Sequence, residues 1–440
     1  MEKNIFNKKI NELVFLLQNN QILKAEKIVN EFLSLKISNP RLLNLIGLVK
    51  LRSGKFNESL EQFSKGLEIN QNNFEICNNK GLVLYNLGKI NEAINFYKKS
   101  AEIKDDYYLA YYNLGNAYIG KADFKNAILN FDQTLKIKED FVEARNNIIQ
   151  SLTYYNSSNL NSVIYSKINN DLQNLKFNYE KSKNINVKDI KKYFENCMEI
   201  VNKSIPHLEY KFSQIYRRDQ VDLNCSRHFS IFNKFNVIPD YCFSCYKIQI
   251  ETQNVLDLIK LYLVFDNLEV KKSKLRKCFV ETRPNIPGSY KALIYFSNIK
   301  DLEEAKEQIE PIIKKNVNEN SIISIKRGCS EFSNKYPSYG KIIPKDQMMS
   351  YPVKWKEKED LVDEKLPKTY FSDEKVLPKT LNGQTLNDIL IIGNWICYAR
   401  IIGDYSYKGI IDEFNESIYI SKKIKDQKNF RIKEFKKKFN

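Results

Sequence analysis

The 440-residue chain is predicted to be multidomain: an all-α array of stacked helical hairpins, followed by an α+β domain with a mixed sheet. Three observations predict this. Gly47, Gly81 and Gly115 recur 34 residues apart, and Ser59/Ala93/Ala127, Phe63/Tyr97/Phe131 and Ile69/Ile103/Ile137 keep the same period. A period of that length with small residues at two set places marks a helical-hairpin repeat. Beyond about residue 208, apolar runs of strand length interleave with helical periodicities. A content of 42% hydrophobic and 12% aromatic residues suffices for folded cores, and the length accommodates two or three domains.

Within one repeat, Leu43, Ile46, Gly47 and Lys50 fall at helical spacing and Gly54 stops the helix. Phe56, Leu60, Phe63 and Leu67 then form a second apolar stripe. Glycine on the first helix and a small residue on the second remove bulk where the two cross. Gly88 repeats the stop of Gly54, and both suit a left-handed cap; the third unit has Ala122-Asp123 there. Running the register backwards places Ala25, Val29 and Leu33 in a weaker first unit, with Leu13 where glycine is expected, as terminal units are atypical.

These residues resemble the tetratricopeptide repeat (TPR) family. Tyr111-Tyr112-Asn113-Leu114-Gly115-Asn116-Ala117-Tyr118 looks like the first helix of that repeat, and Ala127 and Phe131 match its second. The resemblance covers about residues 6–157: units at 6–39, 40–73, 74–107 and 108–141, and a closing helix at 142–157. The family's proline near the end of each unit is replaced by Gln71, Asp105 and Glu139. The resemblance implies a right-handed TPR superhelix whose concave groove takes a protein or peptide partner. By family position Asn44, Asn78, Asn79, Tyr112, Asn113 and Asn116 line that groove. Amide side chains suit the task because each offers a donor and an acceptor. The alternative is an array that packs only against its own chain, and the partner-binding reading requires the trough to stay open to solvent.

Residues 158–207 read as a helical connector, with Val187 to Ile200 as the clearest helix. The α+β domain is placed at 208–410, with strands near 210–217, 244–250, 277–282, 290–296 and 321–327. Its helices are placed near 226–236, 253–266 and 300–315. Residues 335–385 read as a long surface segment, and Leu386 to Gly403 as a helix packing back through Ile389, Ile392, Ile396 and Ile401. Residues 411–440 form a basic tail.

The chemically richest stretch is Cys225, His228, Cys242 and Cys245, spaced C-x2-H-x13-C-x2-C. Three thiols and an imidazole meet the ligand count of tetrahedral zinc, so one zinc is the cofactor this set suggests. An iron–sulfur cluster is a second occupant, although clusters usually draw all four ligands from cysteine. Against a metal stands core filling, since cysteine is among the most buried residue types and His228 can satisfy itself on a backbone carbonyl. Thiol catalysis is the third reading. Approach of Cys278 or Cys329 to the Cys242–Cys245 pair would favour a metal or redox site. Lys277, Arg283, Lys326 and Arg327 lie at strand ends and are candidate anion-binding residues, with solvated edge charge as the plainer reading.

The net charge of +17 is unevenly spread: residues 1–157 hold 21 basic and 17 acidic side chains, and residues 418–440 alone carry +7. A nucleic-acid partner is therefore not favoured. The tail sets Ile432, Phe435 and Phe439 among Lys433, Lys436, Lys437 and Lys438. It reads as a solvated, frayed end, or as a short amphipathic helix in weak contact with a membrane surface. No apolar run is long enough to span a bilayer and no secretory signal is recognisable, so a cytoplasmic protein with reduced thiols is expected. Phosphate-binding, dinucleotide and zinc-protease motifs are absent, and no catalytic residues are assigned. The leading reading is an adaptor or scaffold with a zinc-stapled α+β domain. The alternative is a transferase or thiol- or metal-dependent enzyme. Its site would lie at 225–245 beside Lys277, Glu281, Arg283 and Arg327, with the array recruiting substrate.

Overall fold

The computed structural model describes residues 3–34, 39–177, 184–206, 208–219, 221–284, 286–342, 348–371, 376–412 and 416–437. They form two compact units, one of residues 1–151 with 364–377, the other of residues 152–363 with 378–440.

The first unit is helical. α1 (Lys3–Gln18) and α2 (Ile22–Ser34) form the atypical first hairpin, with Leu13 fully buried where the other units have glycine. Three regular hairpins follow: α3 (Pro40–Arg52) with α4 (Phe56–Ile69), α5 (Phe74–Asn86) with α6 (Ile90–Ile103), and α7 (Tyr108–Gly120) with α8 (Phe124–Ile137). α9 (Val142–Ser151) closes the stack on α8, burying Ala144, Ile148 and Ile149. Asn39 and Asn73 cap α3 and α5 by accepting the N–H of Leu42 and Ile76. Crossings are as tight as the small residues imply. A Cβ on Gly81 would lie 2.7 Å from the Tyr97 ring, and the Ser59 hydroxyl donates to the Gly47 carbonyl at 2.6 Å. Gly54 and Gly88 adopt the left-handed caps at φ +76° and +82°. Ala122 adopts the same conformation at φ +55° without glycine's freedom, a cost of about 1 kcal/mol.

Residues 364–377 of the later chain belong to this unit. A 3-10 turn at Lys368–Phe371 lies against α5, Thr369 is buried, and the Val376 N–H donates to the Gly120 carbonyl at the end of α7 at 2.9 Å. A segment of the chain itself thus lies against α5 and the end of α7, two first helices of the array whose trough the sequence reading takes to be open.

The second unit begins with α10 (Ile164–Asn174) and α11 (Val187–Ser204). Its sheet comprises β1 (Gln214–Arg218), β2 (Tyr246–Glu251), β3 (Leu275–Val280), β4 (Tyr290–Phe296) and β5 (Ile322–Arg327), in the order β1-β3-β4-β2-β5. Every pairing is antiparallel, which corrects the mixed sheet expected from the sequence. The interleaved order suggested parallel neighbours, but the crossovers through α14 and α15 each skip one strand. α14 (Val255–Asn267) joins β2 to β3 with β4 between them, and α15 (Ile299–Asn316) joins β4 to β5 with β2 between them. The result is a double split β-α-β sheet. α12 (Cys225–Phe235) and the single turn α13 (Asp240–Phe243) precede β2. α16 (Ser330–Lys335), α17 (Pro337–Gly340) and α18 (Lys356–Asp363) follow β5.

The expected helix at 386–403 is α19 (Leu386–Ile402), opened by a capping box of Thr385 and Asp388 and closed by Gly403 at φ +85°. It packs on β1, β3 and α14 with Trp395 fully buried. Arg217 of β1 fixes this packing, bonding Asp266 of α14 at 2.6 Å and Asp388 of α19 at 2.8 Å. No helix among the described residues is long and apolar enough to cross a membrane.

The basic tail is not a frayed end. α20 (Ile418–Lys423) and α21 (Lys428–Lys436) pack on α19. Arg431 is buried and donates to the Arg283 carbonyl at 2.6 Å, while Glu434 accepts the Gly288 N–H at 2.6 Å. Phe435 is buried 6.4 Å from the Tyr290 ring, so this aromatic serves the core rather than a membrane face. Lys438 and Phe439 lie outside the described residues.

Candidate functional sites

In the first unit the expected groove asparagines form a ladder from one first helix to the next. Asn79 donates to Asn44 at 2.9 Å, Asn113 to Asn78 at 2.8 Å, and Asn147 to Asn116 at 3.1 Å. The near-34-residue spacing places these amides opposite one another in stacked units. In this ladder Asn44, Asn113 and Asn116 each use one end of the amide, leaving the other end for a further partner. Tyr112, also expected there, packs its ring on Phe141 at 5.0 Å and Phe131 at 5.8 Å. Asn147 belongs to the ladder but was not expected there. It lies in the closing helix, where the repeat register stops signalling.

In the second unit the cysteine-bearing stretches converge. Cys225 opens α12, and Cys242 lies in the α13 turn, its carbonyl accepting the Cys245 N–H at 3.2 Å. The Gly328 N–H donates to the Cys245 carbonyl at 2.7 Å, which brings Cys329 to the same place from the far end of β5. Gly328 stands at φ +51° with the Tyr339 hydroxyl where a Cβ would be, so glycine is required at this turn. Cys225, His228, Cys242, Cys245 and Cys329 line one cavity of about 10 Å³ with Phe229, Tyr241, Tyr295 and Phe332. Cys278 does not join them; it is buried on the opposite face of the sheet, which packs on helices.

His228 is buried with its ring stacked on Tyr241 at 5.2 Å. Burial, aided by the Arg227 charge, lowers its pKa to about 4, so the imidazole is neutral. Arg227 is itself held by Glu359 and Asp363. Burial pushes the Cys245 thiol up to about 12, with the neighbouring Cys329 adding to the rise. Among the described residues no group of three or more His, Cys, Asp or Glu side chains is placed to hold a metal ion. The expected zinc set Cys225, His228, Cys242 and Cys245 therefore shares a cavity without closing on a single point.

The candidate anion-binding residues do not meet at one site. Lys326 and Arg327 share a cleft of about 410 Å³ with Lys247 and Lys291, but Lys277 and Arg283 are not among its lining residues. Arg327 spends its guanidinium on the Phe243 and Met349 carbonyls. Arg283 pairs with Glu281 at 2.8 Å and Glu331 at 2.7 Å. Glu281 also pairs with buried Lys291 at 3.0 Å. Burial alone would raise the Glu281 pKa, but the Arg283 bonds and the Lys291 charge outweigh it and hold the group near 2.

Comparison with known proteins decides the first unit. Residues 40–73 and 108–141 match the family profile described as tetratricopeptide repeat, and residues 81–121 match that described as TPR repeat. The chain carries tetratricopeptide repeats. The TPR array is similar to solved repeat structures. The first TPR of Spaghetti (RPAP3), bound to the HSP90 peptide SRMEEVD, is 20% identical with a TM-score of 0.25, covering 26% of this chain and 89% of its own. YrrB, a TPR protein with an unusual peptide-binding site, is 19% identical with a TM-score of 0.28, covering 32% of this chain and 74% of its own. A MamA crystal structure is 18% identical with a TM-score of 0.30, covering 43% of this chain and 93% of its own. No curated protein matches the chain.

Proposed function

We propose that the TPR array is a docking surface for an extended protein segment, and that residues 364–377 of the same chain are its resident occupant. One observation carries this reading: a non-repeat segment lies on the first-helix layer, with its turn on α5 and a backbone bond from Val376 to Gly120. The amide ladder supports it, because half-used amides can take up backbone N–H and C=O groups of a docked segment. The protein is then a scaffold whose binding face is self-covered until a competing segment displaces the resident one.

The test uses the full chain with residues 364–377 replaced by a glycine–serine stretch of equal length. A synthetic peptide of the native 364–377 sequence, carrying a fluorophore, is titrated in and followed by anisotropy. The replaced chain should bind the peptide and the native chain should bind it far more weakly. Asn113→Ala with Asn116→Ala in the replaced chain should weaken binding by roughly thirtyfold, about 1 kcal/mol for each amide bond lost. Equal binding to both chains, or none to either, would show that this face accepts no extended segment.

A further inference from the structure

The cysteines divide into two kinds by exposure, and that division carries an inference. Cys77, Cys197, Cys278 and Cys397 are buried and none of them lines the cavity between α12 and β5; they behave as core-filling side chains. The other four all line it: Cys242, which is buried, together with Cys245 and Cys329, which are half-buried, and Cys225, which is exposed. Every cysteine in the chain that is not buried is thus found at one spot. Core filling explains buried cysteines, but it gives no reason for the less buried ones to gather.

The cavity is the second observation. Its volume of about 10 Å³ is close to the least that admits one water molecule, and its lining is sulfur, ring and aliphatic carbon. A water needs two or more polar partners, so this lining does not favour water as the occupant. Sulfur at four corners favours a thiophilic metal group instead.

The third observation is charge. Lys247 follows Cys245 by two residues on β2, is only 4% exposed, and makes neither an ion pair nor a hydrogen bond among the described residues. Lys277 sits across the same sheet face with its ammonium 5.9 Å from the ring of Tyr295, which lines the cavity. Its hydrogen-bond partner is the Gln214 amide at 3.3 Å, and among the described residues no carboxylate pairs with it. Lys247 is buried and Lys277 half-buried, and an anionic group beside them would offset their charge. Four thiolates around an Fe–S core of charge +2 leave a net charge of −2, which these two ammonium groups balance.

We propose that Cys225, Cys242, Cys245 and Cys329 ligate one iron–sulfur cluster, with Lys247 and Lys277 as its charge-balancing neighbours. A single zinc ion draws its ligands to one point at about 2.3 Å each. A cluster takes one thiolate per iron corner and holds them farther apart. Four thiols lining one cavity supply the ligand count of such a cluster, whereas among the described residues no three are placed to hold a single metal ion. Cys329 supplies the fourth cysteine, so the set is complete without His228, whose ring stacks on Tyr241. Each thiol releases its proton to solvent as its sulfur bonds iron, and the core arrives preassembled in its +2 state from the cell's cluster-assembly chemistry, so no electron is exchanged at this site.

The test starts from full-length protein purified without oxygen, then reconstituted with ferrous and ferric iron in equal amounts and sulfide. The expected result is iron and acid-labile sulfide in equal amounts with a broad visible absorption that bleaches on reduction. His228→Gln should retain the cluster and Cys329→Ser should lose it, while Cys278→Ser, the control outside the cavity, retains it. If Cys329→Ser fails to fold, Mössbauer spectroscopy of the native protein separates all-thiolate ligation from ligation by one imidazole. Zinc at one per chain without sulfide, no bound metal after reconstitution, or loss of iron on His228→Gln would each overturn the proposal.

Discussion

Replacing Arg217 with methionine should be among the most damaging single changes in the α+β unit. The guanidinium donates to Asp266 at 2.6 Å, Asp388 at 2.8 Å and the Gly383 carbonyl at 2.9 Å, and it lies 3.1 Å from the Tyr262 hydroxyl. Side-chain exposure is 4% for Arg217, 7% for Asp266 and 0% for Asp388. Methionine keeps the apolar stem but strands two buried carboxylates. Losing one partner of a buried pair costs about 3–5 kcal/mol, and two acids share this cation, so the upper value of about 5 kcal/mol is expected. With a urea slope of about 3 kcal/mol per molar for a unit of this size, the midpoint should fall by roughly 1.5 M.

The assay is tryptophan fluorescence, because both tryptophans, Trp355 and Trp395, lie in this unit. The sign with pH is fixed by linkage. Burial already raises the Asp266 pKa, and removing Arg217 raises it further. The folded variant then binds protons that the unfolded chain does not. Its deficit should therefore shrink as pH falls from about 7 toward 5. Asp266→Asn added to Arg217→Met should recover part of the loss. A midpoint shift below about 0.5 M, or a deficit that widens on acidification, would refute the reasoning.

Two further outcomes follow from the packing. Gly81→Ala places a Cβ 2.7 and 2.8 Å from the buried Tyr97 ring and 3.2 Å from the Ala93 carbonyl oxygen. Overpacking should outweigh the helix-propensity gain and cost about 1–3 kcal/mol, read from urea melts of the helical circular dichroism; an unchanged or higher midpoint would contradict the close-crossing account. Glu281, held near pKa 2 against an ordinary 4.5, contributes stability that is fully present above pH 4.5 and lost as pH falls toward 2. Glu281→Gln should remove about 2–3 kcal/mol of that acid dependence, measured as the difference between native and variant melts across this window; parallel curves would count against the assignment.

Regular features of the fold were legible in the sequence where a period or a long apolar run announced them. The repeat register located the paired helices because glycine and its aromatic neighbour recur together, and the β4 strand coincides with the apolar run from Tyr290 to Phe296. β1 was placed too early. Residues 210–213 alternate like a strand, yet Asn394 donates to the Tyr210 and Phe212 carbonyls and Trp395 to that of Ser213. Side chains of α19 satisfy that backbone, so no partner strand is needed. The buried tail was missed for a related reason. Arg431 and Glu434 look like solvent-facing charges until Arg283 and Gly288 supply their partners from far along the chain.

The candidate sites divide the same way. The ladder asparagines follow from the repeat period, whereas the return of residues 364–377 has no local signal. Cys329 was named, together with Cys278, only as a cysteine whose approach to the Cys242–Cys245 pair would favour a metal or redox site. Its place beside Cys245 depends on β2 and β5 pairing in one register, Tyr246 opposite Arg327, which spacing along the chain does not reveal.

The resident segment is attached at both ends, since residues 363 and 378 belong to the second unit. Its contacts with the repeats are consequently intramolecular, equivalent to a ligand present at about millimolar effective concentration. Weak contacts are then enough to keep the face covered, and a free peptide making the same contacts must reach a comparable concentration to displace half of it. Cutting the backbone on one side of 364–377 would leave every contact intact yet lower that effective concentration. A nick, rather than a substitution, is thus the gentlest way to expose the repeats.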